Sequence, residues 1–373
     1  MKVIAERAAL LKSLGHVQSV VERRNTIPIL ANLLLRGDED GLSMSATDLD
    51  IEAIVRMDAR IEAPGTVTIS AQTLYEIVRK LPDGSEVSLT LDPEDQRISV
   101  SAGRSRFALA TLPAEDFPVM ATDSYDHQFE MTGGVLRRLF EKTRFAISTE
   151  ETRYYLNGVY LHVHEPSGGE KKLRAVATDG HRLARLDTPL PPGADGAPGI
   201  IVPRKTVNEL VKLLDDDEMV VQVAVSETKM RVTAGRTVLT SKVIDGQFPD
   251  YTRVIPDKND KTLTADAAMF AAAVDRVATV SSEKSRAVKL SLDEDRLTLS
   301  VNAPDSGTAD EEMIVAYADE PITIGFNAKY LLEIAGQIER ENAVFELLDS
   351  GAPTLVREEG DDAAVYVVMP MRV

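Results

Sequence analysis

The sequence predicts an α+β fold in which one unit, two helices on a largely antiparallel sheet, occurs three times. Three observations predict it: words that recur at one offset, helical and alternating patterns that return in the same order, and a length of 373 residues, enough for two or three domains with cores of their own. Ala46-Thr47-Asp48 returns as Ala177-Thr178-Asp179 and Phe117-Pro118 as Phe248-Pro249, both 131 residues on, and Ala102-Gly103-Arg104 returns as Ala234-Gly235-Arg236 after 132. Independent matches at one spacing are the mark of an internal repeat.

Each copy is expected to open on an amphipathic helix, Glu6 to Val21, Gly133 to Ser148 and Asp266 to Ser282, with apolar residues three or four apart such as Leu136, Leu139 and Phe140. A second helix is marked by Leu74, Ile77, Val78 and Leu81, by Val207, Leu210, Val211 and Leu214, and more loosely by Leu331, Ile334, Ala335 and Ile338. Each copy closes on a hairpin of alternating residues: Val87, Leu89, Leu91 then Ile98, Val100; Val221, Val223, Val225 then Met230, Val232; and a third after Val344. Acidic turns such as Asp92-Pro93-Glu94-Asp95 suit solvated hairpin tips. The third copy lacks the Ala-Thr-Asp and Phe-Pro words, so its membership rests on the order of elements. The expected domains are 1–120, 128–253 and 254–373, each with two helices and about eight strands, the helices covering one face of the sheet. Pro191 to Gly199 has neither the Gly-x-Gly start nor the Lys-Ser/Thr end of a phosphate loop and reads as a Pro/Gly surface loop.

With 42 Lys and Arg against 60 Asp and Glu, the net charge is −18, and the pI is about 4.8. Such a chain does not coat nucleic acid or an anionic membrane unless a basic surface is set apart locally. The excess is uneven: net −5 over residues 1–119, −1 over 120–253 and −12 over 254–373. The helices lean the other way in the first two copies. Arg137, Arg138, Lys142 and Arg144 face a single Glu141, Arg204, Lys205 and Lys212 a single Glu209, and Arg79 and Lys80 end a third helix. Cations on helix faces are ordinarily solvation, and taken alone that reading outweighs DNA binding. The absence of cysteine excludes disulfides, thiolate nucleophiles and Cys-ligated metals, and fits a reducing, cytoplasmic setting. The longest apolar stretch, Ala363 to Met371, is far too short for a membrane span, so no membrane partner is expected.

Five histidines leave little room for catalysis. His162 and His164 share one strand face, but no third ligand stands near, so no metal site is expected. Asp179-Gly180-His181 resembles an acid–base fragment, yet no nucleophile elbow, phosphate loop or dinucleotide fingerprint completes it, and Asp48 occupies the equivalent place without a histidine. A repeated turn-capping role accounts for both aspartates, and neither catalytic residue nor cofactor is expected. The C-terminal Val367-Val368-Met369-Pro370-Met371 is apolar where a frayed polar tail is ordinary, and reads either as a last core strand or as one wall of an adaptable peptide groove.

The words Arg24-Asn25-Thr26-Ile27-Pro28-Ile29-Leu30, Arg153-Tyr154-Tyr155-Leu156-Asn157-Gly158, Ala177 to Ala184, Phe248-Pro249-Asp250-Tyr251 and Met369-Pro370-Met371-Arg372 together resemble the bacterial DNA polymerase III beta-subunit family, from end to end and in order. The resemblance implies three clamp domains per chain and a head-to-tail homodimer closing a six-domain ring, helices inward, on double-stranded DNA held without sequence preference. It implies DNA contacts at Arg24, Tyr154, Tyr155, Arg204 and Lys205, to which Arg79, Lys80, Arg137 and Arg138 are added from the helix charges; one basic contact of the family is Gln72 here. It also implies a partner groove lined by Leu156, Thr178, Gly180, His181, Arg182, Leu183, Pro249, Arg253 and Val254 and by Val367, Met369, Pro370 and Met371, with Gly351 where the family has a valine. The ligands implied are Gln- and Leu/Phe-containing peptides of the replicative polymerase, the clamp loader and other clamp-binding proteins. A peptide-binding scaffold without DNA, or an enzyme on a triplicated scaffold, are the rival readings.

Overall fold

In the computed structural model, residues 1–22, 26–92, 96–121, 124–281, 286–304 and 306–372 are described. Among them are six α-helices: α1 (Arg7–Gln18), α2 (Ala71–Lys80), α3 (Gly133–Glu141), α4 (Arg204–Leu213), α5 (Ala267–Ala278) and α6 (Ala328–Ala335). Two fall in each predicted copy. A strand not foreseen in the sequence precedes the first helix of each copy: Lys2–Glu6, His127–Thr132 and Lys261–Asp266. Its last residue often caps the helix that follows. Glu6 accepts from Ala9 N–H at 2.8 Å and Asp266 from Met269 N–H at 2.7 Å, each satisfying a donor of the first turn. The helix expected to reach Ser148 stops at Glu141, where Thr143 turns its hydroxyl back to Leu139 O at 2.7 Å and a short 3₁₀ turn, Arg144–Ala146, takes over.

The chain forms two compact units, and they cut across the sequence repeats. Unit 1 comprises Met1–Arg137 and Pro191–Val243; unit 2 comprises Arg138–Leu190 and Ile244–Val373. In unit 1 a five-stranded sheet runs in the order Arg60–Ala63, Lys2–Glu6, Glu86–Asp92, Arg97–Ala102, Ser105–Ala110. An eight-stranded sheet runs His127–Thr132, Val220–Val225, Lys229–Ala234, Thr237–Lys242, Ile51–Met57, Gly41–Thr47, Asn32–Asp38, Gly65–Ser70. The expected hairpins are present in register, with Leu89 opposite Val100 and Val223 opposite Val232. In this unit α1 packs on α2, and Leu10, Leu14 and Val17 of the one and Leu74 and Val78 of the other are withdrawn from water.

Unit 2 is organised alike. One sheet contains Gly158–His164, Lys172–Thr178, Arg182–Pro189, Asp361–Val368, Thr354–Glu358, Asn342–Leu347 and Lys261–Asp266 in that order, and the other contains Gly307–Ile314, Arg296–Ala303, Ala287–Asp293 and Ile322–Asn327. The third hairpin pairs Phe345 with Val356, and α5 packs on α6 with Phe270 against Phe345 at 4.9 Å between ring centroids.

One seam joins the repeats in both units. The strand that follows Ala-Thr-Asp in one copy pairs antiparallel with the last strand of the next: Ile51–Met57 with Thr237–Lys242, and Arg182–Pro189 with Asp361–Val368. Two strands with the same places in their copies, Ser105–Ala110 of the first and Gly307–Ile314 of the third, end their sheets.

Candidate functional site

The seam in unit 2 brings the distant groove words together. Arg182 stands opposite Val368 and Leu183 opposite Val367, and the pairing runs on past the strand: Met369 N–H donates to His181 O at 2.9 Å and Met371 N–H to Gly325 O at 2.8 Å. The C-terminal segment is therefore held as structure. At this seam Gly180, His181 and Met369 are exposed, with Thr178, Pro370 and Met371 half-buried, and Pro249, Arg253 and Val254, expected on the same surface, are exposed as well. Val254 at 46% and Met369 at 38% are apolar side chains left outside the core, as a docking surface requires.

Three expected lining residues belong to the core instead. Leu156, Leu183 and Val367 are buried, and they fix the backbone from which the exposed residues project. Arg182 departs further from expectation, being 6% exposed. Its guanidinium lies 4.4 Å from the ring centroid of Tyr330 and 5.1 Å from that of Phe145, donates to Phe145 O at 2.6 Å and Asp179 Oδ2 at 3.2 Å, and pairs with Glu333. A planar cation with five donors is buried only when so satisfied, so Arg182 braces the site from within. His181 stacks beside Tyr330 at 6.3 Å. Tyr330, Phe145 and Glu333 were missed from the sequence because they meet Arg182 only through the tertiary fold.

Asp179 holds a turn. Its Oδ1 accepts from His181 N–H at 2.9 Å and Arg182 N–H at 3.0 Å, while Thr178 Oγ1 donates to Arg182 O. The first copy repeats this: Asp48 Oδ1 accepts from Asp50 and Ile51, and Thr47 Oγ1 donates to Ile51 O. The turn needs positive φ at its third position, +89° at Gly180 and +80° at Leu49, so the glycine of Asp-Gly-His serves geometry and not catalysis.

His162 is likewise structural. Burial pushes its imidazole down to about 4, so it is neutral at pH 7. Nδ1–H donates to Val163 O at 3.0 Å, which leaves Nε2 as an acceptor 2.9 Å from Tyr251 OH. Among the described residues no cluster of His, Asp and Glu could hold a metal ion, and no helix is long and apolar enough to cross a membrane.

In unit 1, Arg204 and Lys205 open α4 directly after Pro203, which provides no side-chain cap. Cations oppose the positive end of a helix dipole, so helix stability does not account for them there. Lys205 reaches Asp48 and, at 3.3 Å, Glu22. An open depression of about 1020 Å³ is lined by Gln18, Gln72, Arg79, Lys205 and Lys212 with Glu22 and Glu76, bringing Arg79 of α2 and Lys205 and Lys212 of α4 to one polar surface. Arg79 and Lys80 sit where the dipole favours cations and both pair with Glu76, at 2.7 and 3.5 Å. Tyr154, 53% exposed, meets Tyr155 edge to face at 5.8 Å in the turn Glu151–Leu156 of unit 2. Arg24 lies outside the described residues.

The cations expected on and just after α3 are ion-paired, as those of α2 and α4 are. Arg137 binds Asp217 at 2.6 Å, Arg138 binds Glu339, and Lys142, 4% exposed, lies 2.8 Å from Glu339 and 3.6 Å from Glu358. Their partners are remote in sequence, so counting charges along the helix could not see them.

The family models for the DNA polymerase III beta subunit match in succession: the N-terminal domain over residues 1–121, the central domain over 130–250 and the C-terminal domain over 252–372. The beta sliding clamp of Caulobacter vibrioides is 58% identical and that of Escherichia coli 39%, each with both chains covered in full. Among solved structures, a sliding clamp from Bartonella birtlesii bound to griselimycin superimposes with a TM-score of 0.97 at 47% identity, both chains covered in full. The Caulobacter crescentus clamp with polyethylene glycol bound to a putative beta-motif tethering region gives 0.96 at 57%, covering all of this chain and 99% of the other. The chain belongs to the DNA polymerase III beta-subunit family, the sliding clamps that serve DNA replication as processivity factors and catalyse no step themselves.

Proposed function

We propose that two copies of this chain close head to tail into a ring of six repeats around duplex DNA, in the cytoplasm, and that partners dock peptides on the surface formed by residues 178–183, 249–254 and 367–371. The observation that carries the ring is the seam. Two seam-type pairings are made within the chain, and the two strands that would make a third, Ser105–Ala110 and Gly307–Ile314, end their sheets. An open edge invites another strand, and two different edges on one chain define a head-to-tail contact that closes when the rotation allows. The sequences complement each other: Arg104 and Arg106 on one side, Asp310, Glu311 and Glu312 on the other. Diffuse phosphate contacts from cations at α2 and α4 then hold DNA without reading it, and retention is topological. Closing such a ring on DNA calls for a separate loader, since the chain has no nucleotide-binding motif.

The test is retention on nicked circular plasmid after loading. The expected result is that protein remains on the circle in moderate salt and is lost within the dead time once the plasmid is linearised. Equal loss from both forms would leave the peptide-binding scaffold as the better reading.

For the groove, replacing Met369, Pro370 and Met371 together by Ala is expected to abolish stimulation of a replicative polymerase while the dimer mass is kept. The side chains removed lie beyond the end of the strand, Asp361–Val368, and the backbone hydrogen bonds of Met369 and Met371 do not depend on them. A dissociated or unfolded triple variant would move these residues from docking surface to core.

A further inference from the structure

The segment carrying Pro249, Arg253 and Val254 has few ties to the rest of unit 2. Of residues 249–254 only Tyr251 is buried; the others face solvent, and the turn Tyr251–Val254 bonds locally, with Thr252 and Arg253 both donating to Asp250. Its position therefore depends on Phe248 and Tyr251. Phe248 stacks on Tyr160 at 4.9 Å, and Tyr160 stacks on His162 at 4.5 Å. Tyr251 reaches beneath them to the buried pair of Arg174 and Asp187, joined by two hydrogen bonds of 2.6 and 2.8 Å.

The proton roles around Tyr251 are fixed by elimination. Arg174 can only donate, so Tyr251 Oη accepts from it at 3.2 Å. Val163 O can only accept, so the His162 proton is on Nδ1 and Nε2 is left to accept from Tyr251 O–H. We propose that Tyr251, locked between Arg174 and His162, is the positioning residue of the peptide groove, setting where Arg253 and Val254 meet the ligand. This rests on the groove reading above. It adds that peptide affinity is controlled from beneath the surface, by one hydroxyl that touches no ligand. His162 faces Arg174, His164, Asp187 and Tyr251, and burial keeps it neutral well below pH 7. A proton on Nε2 would leave the tyrosine hydroxyl without an acceptor.

The test uses the full-length dimer and a fluorescein-labelled peptide containing Gln, Leu and Phe, read by anisotropy at pH 7.5. Tyr251→Phe keeps the ring and its stacking and removes only the hydroxyl; His162→Phe keeps a flat ring and removes the acceptor; His162→Gln restores an acceptor without a ring. Expected are affinities about tenfold weaker for the two phenylalanine variants, the loss of one buried hydrogen bond, and binding within about twofold of wild type for His162→Gln. Packing alone would rank the variants the other way, with Gln the most damaging. Met369→Ala is the control for the groove itself: if it binds like wild type, the groove reading has failed. If Met369→Ala loses binding while Tyr251→Phe keeps wild-type affinity, the positioning role is overturned.

Discussion

Replacing Lys142 by Ala is expected to destabilise the protein by about 3–5 kcal/mol, the cost of stripping one partner from a buried ion pair. Lys142 is 4% exposed, and its ammonium group donates to Gln337 O and stands between Glu339 and Glu358. Glu358 is itself 2% exposed, and its Oε1 has no hydrogen-bond partner, so without Lys142 a carboxylate would remain in the interior with Arg340 at 3.9 Å as its remaining ion-pair partner among the described residues. Urea unfolding provides the measurement, and Lys142→Met combined with Glu358→Leu should recover most of the loss because both charges leave together. If Lys142 instead served the DNA face, Lys142→Ala would leave the unfolding midpoint unchanged and weaken retention on DNA.

That case marks the limit of what could be read along the chain. Periodicity located the six helices through buried apolar residues three or four apart: Leu74 and Val78 on α2, Leu331 and Ile334 on α6. Matching words located the seam turns, since Thr47-Asp48 and Thr178-Asp179 make the same hydrogen bonds. The strands that lead into the first helices were overlooked because they are only five or six residues long, and Lys2–Glu6 and Lys261–Asp266 mix charges with apolar positions. At the site, the residues the resemblance implies divide by burial: Gly180, Val254 and Met369 are exposed, as a docking surface requires, and Leu156, Leu183 and Val367 are buried. Charge was the least legible feature. Arg137, Arg138, Lys142 and Arg182 look alike in sequence, as cations on helices or in turns, and whether each meets phosphate or a carboxylate is decided by partners such as Asp217, Glu339 and Glu333 that only the tertiary fold supplies.

The same distinction gives the dimer its test. Phe107 on the strand Ser105–Ala110 is 36% exposed, and Ile314, the last residue of Gly307–Ile314, is 88% exposed. Each is a large apolar side chain on a sheet edge, a placement that a free chain would pay for in aggregation and that pairing between copies removes. Phe107→Asp is expected to weaken the dimer by about thirtyfold or more, the effect of losing an interface hot spot, and to shift the mass seen by light scattering from twice 40.7 kDa towards 40.7 kDa on dilution. Phe107→Lys should weaken it less, because the edge it is proposed to meet carries Asp310, Glu311 and Glu312, and a new carboxylate would be repelled where a new ammonium group is not. Ile314→Asp should dissociate the dimer from the other side, and mixing it with Phe107→Asp should yield dimers with at most one intact junction, unable to stay on circular DNA. Equal effects of Asp and Lys at position 107 would remove the acidic strand as the partner edge, and an undiminished dimer in all three variants would place the junction elsewhere on the chain.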